Sequence, residues 1–239
     1  VLNKLGQVED GKPVYESYNE EVHLAKGDLA IADGVPIFCG IDFGLTPACV
    51  FAQRIRNRWV VFDELVAEDM GIVKFSDLMK QVMAQYLPRE FVIFGDPAGD
   101  HRVQTDESTP FQIMRGKGIY ARPAPSNDVT LRLESVSSVL NRMVDGESGI
   151  IIDNKCNNLI KGFAGGYHYR RLQVSGERYD EKPNKNRFSH VHDALQYLLL
   201  GAGEGRALTI GKKTNKPVVA KRNFNVFDVK PKSVYERRR

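Results

Sequence analysis

From Ile37 onward, three short runs, IFCGIDF, PACVFAQRI and RWVVFDELV, are rich in apolar, β-branched and aromatic residues, and a polar Arg56-Asn57-Arg58 turn separates the last two. They predict an antiparallel meander of three strands. Ile72, Phe75, Leu78, Met79, Val82, Met83 and Tyr86 then recur at spacings of three and four, which predicts an amphipathic helix stopped before Pro88. FVIFGD is a continuous apolar strand ending in Asp96 and the breaker Pro97-Ala98-Gly99, and residues 100–128 are polar and rich in turn formers. A second helix is expected over about 131–143, and GIIID at 149–153 supplies another short buried strand. The stretch YHYRRLQVSGERYDEKPNKNRF reads as a hairpin or flap around Ser175-Gly176, and a last helix starts after Ser189 and ends at Gly201.

The flanks have a different pattern. Residues 1–36 are punctuated by Gly6, Gly11, Gly27, Gly34, Pro13 and Pro36, so a lead-in with at most short helical pieces is expected, packed against the core rather than forming its own. Residues 204–239 have few large apolar side chains and little periodicity, and are expected to be a flexible, peripheral tail. That leaves 37–203 as the folded domain. At 239 residues and 42% apolar content the chain can bury a sizeable core. Net charge is only +4, yet the stretch from Gly203 carries eleven Lys and Arg against Glu204, Asp228 and Glu236, so it is +8 and everything before it −4. Cys39, Cys49 and Cys156 match no zinc spacing and two lie in strand-like runs, as reduced core thiols of a cytosolic protein would. No apolar run approaches the roughly 20 residues needed to cross a bilayer, no secretion signal is recognisable, and a start at Val1 is expected of a piece of something longer.

Three aspartates carry the candidate chemistry. Asp42 stands inside an apolar strand, where an ionised carboxylate is costly unless a cation meets it; the alternative is an outward-facing residue capping the turn at Gly44, Thr46 and Pro47. Asp96 lies where a buried strand emerges at its carboxyl end, the usual place for ligands in α/β sheets, although it could simply start an Asp-Pro turn. Asp193 follows His190 by three residues on SHVHDALQYLLLG, so the two share a helix face, while His192, turned by about 100°, is expected to be exposed. Asp193 could instead do no more than favour the positive end of the helix. If the three converge, they require cations. Hard oxygen ligands suit Mg²⁺ or Mn²⁺, and two such ions about 3.5 to 4 Å apart can clamp the attacking and leaving oxygens of a phosphodiester displacement.

The order of three strands, helix, strand, helix, strand, helix matches a ribonuclease H-like α/β core, a mixed central sheet flanked by helices, here with a hairpin insertion. Within it, GIDFG, FGDPAG and KNRFSHVHDALQYLLLG closely resemble the three acidic motifs of the nuclease domain in the large terminase subunit of tailed double-stranded DNA bacteriophages, over about residues 35–203. The resemblance implies a two-metal endonuclease that cuts concatemeric viral DNA during packaging in the cytoplasm of an infected bacterium. Asp42, Asp96 and Asp193 would be metal ligands and His190 a supporting residue or an acid for the leaving oxygen. Of Asp63, Glu64 and Asp100 as a fourth acidic ligand, Glu64 is preferred. Implied partners are double-stranded DNA, a terminase ATPase domain, the small terminase subunit and the portal protein. The ATPase's GxxxxGK[ST] loop is missing, since GEGRALTIGKKT has the wrong spacing, so the motor domain is expected to lie outside this chain with 1–36 as its connector.

Candidate DNA contacts are Arg102, Arg115, Lys117, Arg122, Arg170, Arg171, Lys182, Lys185 and Arg187, with the cluster Lys182, Lys185 and Arg187 before the last helix favoured. Tyr167, His168 and Tyr169 could stack on DNA or fill a hairpin core. The basic tail suits DNA or, by resemblance, the portal. Other readings are a resolvase or integrase core using the same acidic triad, a noncatalytic docking module, and an actin-like ATPase suggested by GIDFGLT, which would need a second domain.

Overall fold

Alternation along β2 (Ile37–Asp42) sets the architecture. Ile37, Cys39 and Ile41 pack into one apolar cluster with Phe75 and Met79, whereas Gly40 and Asp42 face the opposite side of the sheet. The structure, a computed structural model, describes residues 11–100, 108–172 and 177–205. β3 (Ala48–Ile55) and β4 (Arg58–Val66) complete the expected meander, and the positive φ of Arg56 and Asn57 makes the tight turn between them. α2 (Ile72–Ala84) then crosses over to β5 (Phe91–Gly95), which pairs parallel to β2. A 3₁₀ turn (Pro97–Asp100), α3 (Pro110–Gly116) and the short edge strand β6 (Ala121–Pro123) follow.

Next come α4 (Val129–Leu140), a small hairpin of β7 (Met143–Val144) and β8 (Glu147–Ser148), and β9 (Ile150–Ile152), parallel to β4. α5 (Asn157–Lys161) runs into a π-helical turn (Gly162–Gly166), β10 (His168–Arg170) and finally α6 (Ser189–Gly201). The main sheet has the order β6-β5-β2-β3-β4-β9, with β3 antiparallel to its neighbours and the rest parallel. α2 and α3 cover one face; α4, α5 and α6 cover the other. This is the ribonuclease H-like arrangement expected from the order of elements.

One region departs from the sequence reading, and the lead-in, expected to pack against the core, does so and adds a short strand. Within the polar stretch 100–128, the described residues 108–128 hold more regular structure than their polarity suggests: Thr109 and Gln112 close a reciprocal capping box, Pro110 occupies the first turn, and Phe111 and Met114 anchor α3. Seven residues are too few for periodicity to show. Residues 11–36 are woven into the body: β1 (Gly11–Pro13) pairs with β10, α1 (Glu20–His23) is capped by Asn19, Leu24 bridges Ile152, and Tyr15 is a buried core residue. The hairpin after β10 is present in the bonds Leu172 N–H to Arg178 O and Asp180 N–H to Arg170 O, its expected tip at Ser175-Gly176 lying outside the described residues. Most of the basic tail, 206–239, also lies outside them. No described helix is long and apolar enough to cross a membrane.

Candidate active site

Asp42 and Asp96 emerge side by side. In the parallel pairing of β2 with β5, Ile41 is opposite Gly95, and the Asp96 N–H donates to Ile41 O at 3.0 Å, so the two aspartates follow at adjacent positions. The residues before them, Ile41 and Gly95, face the α2/α3 layer, where Gly95 lies against Phe43 and Phe111; the pleat therefore directs both aspartates toward α6. Asp96 also accepts from the Ala98 N–H at 2.8 Å, so it serves the Pro97 turn as well as standing at the strand end.

α6 lies directly on β2 because residue 40 is glycine. A Cβ there would come within 2.0 Å of the Ala194 carbonyl oxygen and 2.7 Å of the Leu198 nitrogen, backbone atoms that cannot step aside. The helix thereby places His190 and Asp193 above the strand ends. His190 Nδ1 lies 2.9 Å from Asp42 Oδ2. Asp193 is 1% exposed and is held by two cations: Arg132 Nη1 donates to one carboxylate oxygen at 3.0 Å and the Lys185 ammonium to the other. Arg132, from α4, also donates to the Tyr197 hydroxyl at 3.2 Å, and that hydroxyl donates to Asn127 at 2.8 Å.

The charges feel one another. Burial pushes the Asp42 carboxyl above its ordinary range, Asp193 adds to the rise, and His190 and Lys185 oppose it. Burial works against the Arg132 charge, but Asp193, Tyr197, Tyr167 and Asp96 together hold it above the ordinary value. Asp42 and Asp96 at adjacent strand ends, with Asp42 resisting ionisation and Asp193 on the helix above, are hard-oxygen donors of the kind that a divalent cation takes. Among the described residues no three His, Cys, Asp or Glu side chains stand close enough to hold an ion as they are, and Asp193 is turned to its two cations instead.

Other candidate residues fall elsewhere. Glu64 shares the α6 face of the sheet, but it lies two strands from β2, roughly 10 Å across, and its carboxylate accepts from the N–H groups of Asn158 and Leu159 and the Asn158 side chain at the start of α5. Asp63 faces the other layer and accepts from the Tyr86 hydroxyl, and Asp100 is exposed in the 3₁₀ turn. Of the favoured basic cluster, Lys185 turns to Asp193, the Arg187 guanidinium lies over the Phe188 ring, and Lys182 is exposed in a shallow depression with Arg170, Asp180 and Lys185. Lys117 pairs with Asp77 of α2, on the α2/α3 layer, and Arg102 lies outside the described residues.

His192 is buried, not exposed as expected. It stacks on Tyr167 and packs against Phe163 and Tyr15, and burial pushes its pKa down to about 3. α6 is covered on all sides, so its polar positions do not mark a solvent face. Tyr167 is likewise core. Arg132 is the residue that the sequence reading missed; its signal was a lone cation on the helical face shared by Ser135, Val136 and Val139, all buried.

No family model matches the chain, and no curated protein matches it in sequence. Solved structures match in shape. The large terminase of a thermophilic bacteriophage superposes with a TM-score of 0.62 at 16% identity, covering 84% of this chain and 46% of that one. The P22 large terminase nuclease domain gives 0.55 at 12% identity, covering 77% of this chain and 89% of that one. The fold is that of a large-terminase nuclease domain. The large terminase nuclease from thermophilic phage G20c, with bound magnesium, gives 0.52 at 10% identity, covering 78% of this chain and 96% of that one. This chain thus spans less than half the length of the first of these large terminases, and most of the length of the isolated terminase nuclease domains.

Proposed function

We propose that the chain is a divalent-metal-dependent endonuclease that cuts double-stranded viral DNA during genome packaging. The observation that carries this reading is the adjacency of Asp42 and Asp96 at the ends of parallel neighbours β2 and β5, with Asp193 and His190 delivered above them by α6. The terminase nuclease fold supports it, and so does the magnesium in the G20c nuclease.

Asp42 and Asp96 would hold Mg²⁺ or Mn²⁺, with Asp193 the third ligand when two ions are present. The bound metal supplies a water of lowered pKa and positive charge for the phosphate oxygens. Asp42 is oriented by its hydrogen bond to His190, whose ring nitrogen can hold or release a proton at the edge of the site. Arg132, locked by Tyr197 and Asn127, fixes the direction of Asp193. Lys182 and Arg170, exposed beside the site, would contact DNA phosphates. On the same reading the partners are a terminase ATPase domain, the small subunit and the portal, and the protein works in the cytoplasm of an infected bacterium.

Plasmid cleavage by the purified chain tests this. Nicking is expected with Mg²⁺ or Mn²⁺, none with EDTA, and a fall to background in Asp42→Ala, Asp96→Ala and Asp193→Ala chains shown to be folded by circular dichroism. Folded variants that cut as well as the parent would contradict the assignment.

A further inference from the structure

The two cations on Asp193 are unlike in permanence. Arg132 is buried, its guanidinium lies over the Tyr197 ring at 5.0 Å from the centroid, and its Nη1 is shared between Asp193 and a hydroxyl that is itself anchored to Asn127. Lys185 comes from the loop before α6 with its side chain 67% exposed. The backbone around it is pinned, because the Asn184 N–H donates to His168 O and the Asn186 side chain donates to Gly166 O, each at 2.8 Å. The exposed ammonium can therefore leave Asp193 without moving its Cα, whereas the guanidinium is also held by burial and by Tyr197.

Charge gives this difference a consequence. Counted as formal charges, three carboxylates (Asp42, Asp96 and Asp193) against two cations (Arg132 and Lys185) leave one net negative charge. One divalent ion already overcompensates that charge; a second would meet the Lys185 ammonium at the carboxylate oxygen it needs.

Resting on the nuclease reading above, we propose that Lys185 is a displaceable counter-ion that competes with a second divalent cation for Asp193, so that the resting protein takes one ion and two-ion occupancy requires Lys185 to swing away. Arg132 stays in place in both states and keeps Asp193 aimed. The exposed ammonium, once released, is positioned for a phosphate oxygen at the surface, so a nucleic-acid backbone would both draw it off and occupy it.

The test is Mn²⁺ binding to the full chain without DNA, measured by calorimetry and by electron paramagnetic resonance of free Mn²⁺, for the parent, Lys185→Gln and Lys185→Arg, each checked for an unchanged melting curve in EDTA. The parent and Lys185→Arg are expected to take one ion in the tight phase, and Lys185→Gln to take a second with affinity raised roughly tenfold, the effect of removing one charge at contact distance in a partly wet site. Equal stoichiometry and affinity in the parent and Lys185→Gln would overturn the competition while leaving the nuclease reading standing. No Mn²⁺ binding by any of the three would overturn both.

Discussion

Burial disfavours the charged form of Asp42, Asp193 adds to that, and the hydrogen bond from His190 only partly offsets it. An acid whose folded pKa lies above its unfolded value binds more protons when folded, so stability falls as pH rises from about 3.8 through the folded value and stays lower at neutral pH. Asp42→Asn removes that penalty. In metal-free buffer at neutral pH it is expected to stabilise the protein by about 0.5 to 2 kcal/mol, read as a higher midpoint in urea, while abolishing cleavage; a lower midpoint would mean that the carboxylate contributes more to the fold than it costs. At this scale the sequence was informative where a charge violated its surroundings: Asp42 in an apolar strand and Asp96 at a strand end are found together. It misled at His192, because helical rotation gives the angle between side chains but not whether the far side of the helix is also covered. Lys185 was legible as a cation near the last helix, but its turn inward to Asp193 was not, since that depends on a carboxylate reached only in three dimensions.

α6 was placed by sequence almost to the residue because its apolar run is long, although Ser189 and Gly201 are its first and last residues and not its caps. Short elements were not: α3 and β6 rest on a capping box and on edge pairing rather than on repeated spacing. What holds α6 over the strand ends is the seat beneath it. Gly40→Ala would thrust a methyl group into the helix backbone, so a loss of about 1 to 3 kcal/mol is expected, with cleavage falling further than stability as His190 and Asp193 lift from the strand ends. Gly27→Ala, where an added Cβ meets nothing within 4 Å and the backbone is not left-handed, is expected to change stability by less than about 0.5 kcal/mol. Thermal melts and plasmid cleavage on the two variants separate the effects; equal behaviour would show that the seat does not position the site.

The described residues form a three-layer sandwich with the candidate site at the carboxyl ends of two interior parallel strands, β2 and β5, beneath a helix from the covering layer. The hydrophobic pattern announced the meander and the later strands β5 and β9, but not the edge strand β6 or the order in which the strands pair. The pattern was silent on how residues 11–36 knit β1 and Tyr15 into the body, since Gly and Pro spacing conveys interruption but not destination. The charge division, +8 from Gly203 onward and −4 before it, leaves the body net acidic, so a polyanion would have to reach the strand ends through local cations such as Lys182 and Arg170. Whether Asp42, Asp96 and Asp193 form one metal-holding centre is tested by anomalous diffraction from crystals of the chain soaked in Mn²⁺. A strong peak between the Asp42 and Asp96 carboxylates is expected. A manganese peak elsewhere on the surface, or none in a protein that still cuts DNA, would contradict it.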